Sequence, residues 1–286
     1  LTTRKTDDRR AVTVSDPHAT ATDIAGRVTE SPITTATCDD VLRAIDTHAD
    51  LRPALTVESL AYSTLQAGPE FARWLAARGP STARPDESTP LRYHRDGNTL
   101  HIEFHRPHRH NAFNDGMRAL LIEALNLAHL DPSITAVELT GSGKSFCSGG
   151  DLADFGGFDD PASAHLARTR HSPALGLFAL RQRLGPALRA HLHGQVLGSG
   201  LEMAAFCGTV SAHPDTVLGL PELSVGLVPG AGGMFSVPRR IGRHRTAYLV
   251  LSGKTLDSAT ALEWGLIDEI TQTSISLGAK RSPDPS

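Results

Sequence analysis

The chain has 286 residues, with 28 Lys and Arg against 31 Asp and Glu, and its net charge of -3 supplies no basic field for nucleic acid. No run of about 18 apolar residues is present to cross a membrane, and the polar start, Leu1-Thr2-Thr3-Arg4-Lys5, lacks the apolar stretch of a secretory signal. Three well-separated cysteines, Cys38, Cys147 and Cys207, suit a reducing compartment better than a disulfide framework, so a cytoplasmic location is expected.

Residues 1–30 are polar and show little periodicity beyond a short strand candidate at Ala11-Val12-Thr13-Val14; partial mobility is expected there. Residues 31–79 read as helical. Thr37 is a candidate cap for a helix with Val41, Leu42 and Ile45 on one face, and a second helix from Thr56 aligns Val57, Leu60, Ala61, Thr64 and Leu65. Gly68-Pro69 ends that helix and opens a third, through Phe71, Trp74, Leu75 and Arg78. Residues 80–90, polar and proline-rich, form the best linker in the chain.

From Leu91 the pattern changes. Leu91–Arg95 and Thr99–His105 flank the turn Asp96-Gly97-Asn98 as a hairpin, and an amphipathic helix capped by Asn114 or Asp115 runs to Asp131-Pro132. Strand and helix signals then alternate to Ile270, which predicts an α/β domain over residues 91–270 with a largely internal sheet. Residues 271–286 read as a polar tail.

Several motifs fail on spacing. Gly141-Ser142-Gly143-Lys144-Ser145 resembles the end of a phosphate loop, but Glu138 stands where the pattern needs glycine. Leu197 likewise occupies the first glycine of a nucleophile elbow around Ser199. His101, His105, His108 and His110, and His191 with His193, match no familiar metal-ligand spacing and read as a polar sheet face and loop. Two glutamates resist a bland reading. Glu202 lies in Leu201-Glu202-Met203-Ala204-Ala205-Phe206, where a solvated carboxylate is out of place, and Glu222 follows Pro221. The turns Ser148-Gly149-Gly150-Asp151, Gly198-Ser199-Gly200 and Gly230-Ala231-Gly232-Gly233 flank them, and carboxylates beside such turns point to acid–base chemistry.

At these residues the chain resembles the crotonase superfamily, the enoyl-CoA hydratases and isomerases. The likeness runs through Pro107–Ala112, Phe146–Leu152, Gly194–Glu202, Pro221-Glu222 and Pro229–Gly233, within about Leu91–Ile270. It implies a crotonase-like spiral of ββα units that binds an acyl-CoA or carrier-bound acyl thioester in a homotrimer or hexamer, without metal or redox cofactor; coenzyme A enters as part of the substrate. It assigns the oxyanion-hole N–H groups to Gly150 and Ser199, the water to Glu202 and proton delivery at the α-carbon to Glu222. The CoA moiety is expected against Arg109, Asn111, Ala112, Ser148, Gly149, Asp151 and Leu152. With both glutamates present, syn hydration of a 2-enoyl-CoA is expected ahead of isomerisation or another enolate reaction, and a weakly catalytic acyl-thioester-binding subunit is the alternative of another class.

Chains of this family usually continue past the position of Ile270 into helices that close the acyl pocket. Here the extra sequence stands in front of Leu91, and Ser31–Arg78 resembles those terminal helices, especially Glu58-Ser59-Leu60 and Glu70–Leu75. The resemblance implies that the N-terminal helices dock where the terminal ones normally do, as in a circular permutant. A fused remnant that leaves the pocket open is the other possibility.

Overall fold

The computed structural model describes residues 1–81, 88–157 and 160–272, so most of the expected linker and all but the first two residues of the polar tail lie outside the described residues. Four helices come first: α1 (Pro17–Glu30), α2 (Pro32–Ala44), α3 (Leu51–Gln66) and α4 (Pro69–Arg78). The polar segment read as unpatterned therefore contains a full helix. Its start signal is local: Asp16 accepts from the His18 and Ala19 N–H groups and Pro17 sits at the first helical position. The α2 helix starts at Pro32 rather than after Thr37, because Glu70 reaches across from α4 to accept from the Ile33 and Thr34 N–H groups at 2.8 and 2.9 Å.

The α3 helix differs from expectation in its buried face. Leu60 is 52% exposed, whereas Leu51, Leu55, Glu58, Ser59 and Leu65 are buried. Leu51, Leu55, Glu58, Tyr62 and Leu65 follow the three-and-four spacing of one helix face; starting the expected helix at Thr56 left out Leu51 and Leu55 and placed the face on Val57, Leu60, Ala61 and Thr64 instead.

Next come β1 (Leu91–Asp96), β2 (Thr99–Phe104), α5 (Asp115–Leu130), β3 (Ala136–Gly141), α6 (Pro161–Arg170), α7 (Pro173–Leu184), β4 (Leu188–Leu192), β5 (Gln195–Leu197) and α8 (Ser199–Ala204). The chain continues through β6 (Thr209–Ala212), β7 (Val217–Gly219), α9 (Gly233–Ile241), α10 (Arg243–Ser252), β8 (Leu256–Asp257), α11 (Ser258–Trp264) and β9 (Glu269–Ile270). A six-stranded sheet has the order β1-β2-β3-β4-β6-β9; only the β1–β2 pair is antiparallel. A second sheet, β5-β7-β8, carries the turns of the site. Ile102, Leu139, Ala190 and Val210 lie in register across the large sheet and are buried, while on alternate positions His101 pairs with Glu138 at 3.2 Å. The helix α5 buries Met117, Leu121, Ala124, Leu125 and Ala128 and packs on α7.

The N-terminal helices pack onto this α/β body. The α1 helix lies on α10, with Arg27 Nε donating to the Leu251 carbonyl at 2.9 Å; α2 contacts α3 and α10; α3 contacts α6 and α9. Between α3 and α6, Ser63 Oγ donates to the Pro161 carbonyl at 2.8 Å and Arg168 donates to Gln66 Oε1 at 2.9 Å. No helix among the described residues is long and apolar enough to cross a membrane.

Candidate active site

The two sheets bring the three glycine turns together. Cys147 is bridged to Val196 of β5, which sets the Ser148–Asp151 turn beside the Gly198-Ser199 turn, and a methyl group on Gly198 would come within 3.6 Å of the Gly149 Cα. Gly198 has φ 48°, and that same methyl would lie 2.6 Å from Glu222 Oε1, so glycine is required there both for the turn and for the approach of the carboxylate. Among the described residues the N–H groups of Gly150 and Ser199 have no hydrogen-bond acceptor. The Ser148 turn is tied to the loop that carries Arg109: the Ser148 N–H donates to the His110 carbonyl at 3.0 Å.

Glu202 is 2% exposed, and its Oε2 accepts from the Ala231 N–H at 2.7 Å and the Gly233 N–H at 2.8 Å. Burial pushes its carboxyl up to about 7, with the N–H groups of the glycine turn pulling the other way. Glu222 has a buried Oε2 with no hydrogen-bond partner, and burial together with the nearby Glu202 charge raises it well above the usual carboxylate range. One acid is thus anchored and the other is left with an uncommitted oxygen. Two carboxyls with raised affinity for protons, beside a pair of open N–H donors, can move a proton near neutral pH and hold a developing oxyanion.

Of the seven residues expected to meet CoA, Gly149 is buried in its turn with φ 101°, and the other six divide into two groups. Arg109 and Leu152 are exposed, and Ser148 and Ala112 are half-buried beside them, so these four can face a ligand. Asn111 cannot offer its side chain: its amide donates to the Ser142 and Ser145 carbonyls at 2.9 and 2.7 Å and accepts from the Arg106 N–H at 2.7 Å. With φ at 54°, it shapes the loop that presents Arg109. Asp151 is also committed, accepting from Arg106 Nη1 at 2.9 Å in a buried ion pair. Its replacement by Asn would remove one carboxylate from the buried Arg106 guanidinium, and urea unfolding is expected to show a loss of stability.

Sequence reasoning missed a third carboxylate. Glu58, on α3, is 2% exposed and reaches the same glycine turn as Glu202, with the Gly232 and Met234 N–H groups donating to it. Its signal was a lone acid on an apolar helix face.

A family model described as enoyl-CoA hydratase/isomerase matches residues 94–276. The chain belongs to this family. Among curated relatives, 2,3-dehydroadipyl-CoA hydratase of Escherichia coli is 31% identical over 183 residues, covering 64% of this chain and 69% of that protein. Mevalonyl-coenzyme A hydratase of Aspergillus fumigatus is 28% identical over 60% of this chain and 63% of its own length. Among solved structures, an enoyl-CoA hydratase from Thermoplasma volcanium aligns with a TM-score of 0.56 at 34% identity, over 65% of this chain and 73% of that one. An enoyl-CoA hydratase/isomerase from Mycobacterium paratuberculosis has a TM-score of 0.58 at 24% identity, over 67% and 76% of the two chains, a likeness of fold. The crotonase-like α/β fold expected from the sequence is the fold of these neighbours. The family match begins at residue 94, so α1–α4 and Glu58 lie outside it.

Proposed function

We propose that this family member hydrates a 2-enoyl-CoA thioester. The observation that carries the reading is the pair of glutamates with raised proton affinity, Glu202 and Glu222, beside the open N–H groups of Gly150 and Ser199. The thioester carbonyl accepts from those two N–H groups, which stabilise the enolate oxygen; one such donor is worth about 3 kcal/mol in the transition state. Glu202 takes a proton from water, whose oxygen bonds to the β-carbon, and Glu222 gives its proton to the α-carbon. Arg109, exposed and always charged, lies on the loop where the phosphates of CoA would pass. The N-terminal helices, packed on α6, α9 and α10, complete the site.

A double-bond isomerisation is the second reading. It needs one carboxylate to carry a proton between carbons, and the uncommitted Oε2 of Glu222 against the anchored Glu202 favours it. Crotonyl-CoA and longer 2-enoyl-CoAs, followed by loss of the enone absorbance, separate the two: hydration consumes the signal, whereas isomerisation of a 3-enoyl-CoA creates it. The pH profile adds a sign. Glu202 must be ionised to take a proton from water, so kcat/KM is expected to rise with pH through about 7 and to fall again where Glu222 loses its proton. A profile flat between pH 5 and 9, or crotonyl-CoA and the longer 2-enoyl-CoAs all left intact, would sink the hydratase reading.

A further inference from the structure

Glu58 stands on the interior face of α3 among Leu51, Leu55 and Leu65, where an ionisable side chain needs specific partners. Its partners are backbone: the Gly232 N–H donates to Oε1 at 2.8 Å and the Met234 N–H donates to Oε2 at 2.9 Å. Glu202 Oε2 accepts from the Ala231 and Gly233 N–H groups at 2.7 and 2.8 Å. The N–H groups of residues 231 to 234 therefore alternate between two carboxylates, one from α8 inside the family core and one from α3 outside it. Neither carboxylate can move without disturbing the turn that holds the other.

The groups facing Glu58 are Glu202 from α8, Arg168 from α6, Tyr62 one turn along its own helix, and Glu222. Arg168 donates to neutral partners, Gln66 Oε1 and Ser59 Oγ, and its guanidinium lies 4.5 Å over the Tyr62 ring. Burial, and after it the charge of Glu202, raises the Glu58 carboxyl well above the usual carboxylate range.

We propose that Glu58 is a positioning residue for the candidate acid–base pair: by gripping the Gly232 and Met234 N–H groups it fixes the carboxylate of Glu202 and couples that acid's proton occupancy to the docking of α3. This rests on Glu202 and Glu222 being the acid and base. Glu58→Gln keeps the size of the side chain and sets an NH2 group against one of the two backbone donors, which pushes on the turn that also holds Glu202. Glu58→Asp keeps the carboxyl and withdraws it by one methylene.

The test uses the full chain. In Glu58→Gln, the acid limb of kcat/KM is expected to move up, because displacing the turn weakens the Ala231 and Gly233 N–H bonds that favour the ionised Glu202 carboxylate, with kcat lowered about tenfold and KM near the wild-type value. Site-resolved carboxyl NMR titration of Glu202 in both proteins supplies a readout that needs no turnover. A higher midpoint in the variant supports the coupling; an unchanged or lower midpoint in a folded Glu58→Gln protein overturns it. If Glu58→Gln does not fold, Glu58→Asp decides, with a lowered kcat at unchanged KM expected and wild-type kcat overturning the proposal. Failure of the wild-type chain to hydrate any enoyl thioester would instead overturn the hydratase reading, and the NMR titration would still judge Glu58.

Discussion

Glu222→Gln and Glu202→Gln are each expected to lower turnover of a 2-enoyl-CoA by about 1000-fold, within the range that positioned acids and bases contribute. Affinity for a saturated acyl-CoA, measured by calorimetry, should stay within a few fold, because in the proposed reading the thioester is held by backbone N–H groups and the Arg109 loop. The double variant should be little worse than either single one, since both acids act on one water and one enolate. Glu202→Gln also carries a stability signature. Its Oε2 alone accepts both N–H groups, so a Gln carbonyl placed there keeps both bonds. The folded Glu202 carboxyl sits at about 7 against an ordinary 4.5, so its contribution to stability is fully present below the ordinary value and is lost as pH rises through the folded one. At pH 8 the Gln variant should therefore be the more stable protein, by at most about 3 kcal/mol at 1.36 kcal/mol per pH unit, and the gain should vanish near pH 4. Wild-type turnover by Glu202→Gln would remove the hydratase assignment and leave the isomerase reading, which needs only Glu222.

How far the site could be read from the sequence depended on whether its interactions were local. Glu202 was legible because a carboxylate among Leu201, Met203 and Ala204 is anomalous on composition alone, and the glycine turns were legible because small residues clustered. Asn111 and Asp151 stood out as polar residues beside the turns, and their side chains are held by protein groups, Asn111 by the Ser142 and Ser145 carbonyls and the Arg106 N–H and Asp151 by the Arg106 guanidinium, contacts that the sequence does not display. The start of α2 and the partners of Glu58 depend on residues far along the chain, Glu70 for one and Gly232 and Met234 for the other. No window along the sequence contains both sides of such a contact. The pattern of α3 did contain a clue, because skipping Glu58 broke an otherwise regular apolar stripe.

Deleting residues 1–81 is expected to abolish both cooperative unfolding and turnover. The segment places Val41, Leu42, Leu51, Leu55, Leu65 and Phe71 in the core, and each such side chain contributes about 1.5–3 kcal/mol when buried. Their loss, on the order of 10 kcal/mol together, is comparable to the whole stability of a typical domain, about 5–15 kcal/mol. The shortened chain would also expose the faces of α6, α9 and α10 on which α1–α3 rest, and would leave the Gly232 and Met234 N–H groups without their acceptor at the turn that anchors Glu202. Calorimetry should show no sharp transition, and crotonyl-CoA should remain intact. Residues 1–81 supplied as a separate segment should restore turnover in proportion to their binding, because the contacts to α6, α9 and α10 are side-by-side packing that does not need a covalent link. A shortened chain that unfolds cooperatively and turns over at the wild-type rate would show that the helices are a passenger, and it would remove Glu58 from the account of the site as well.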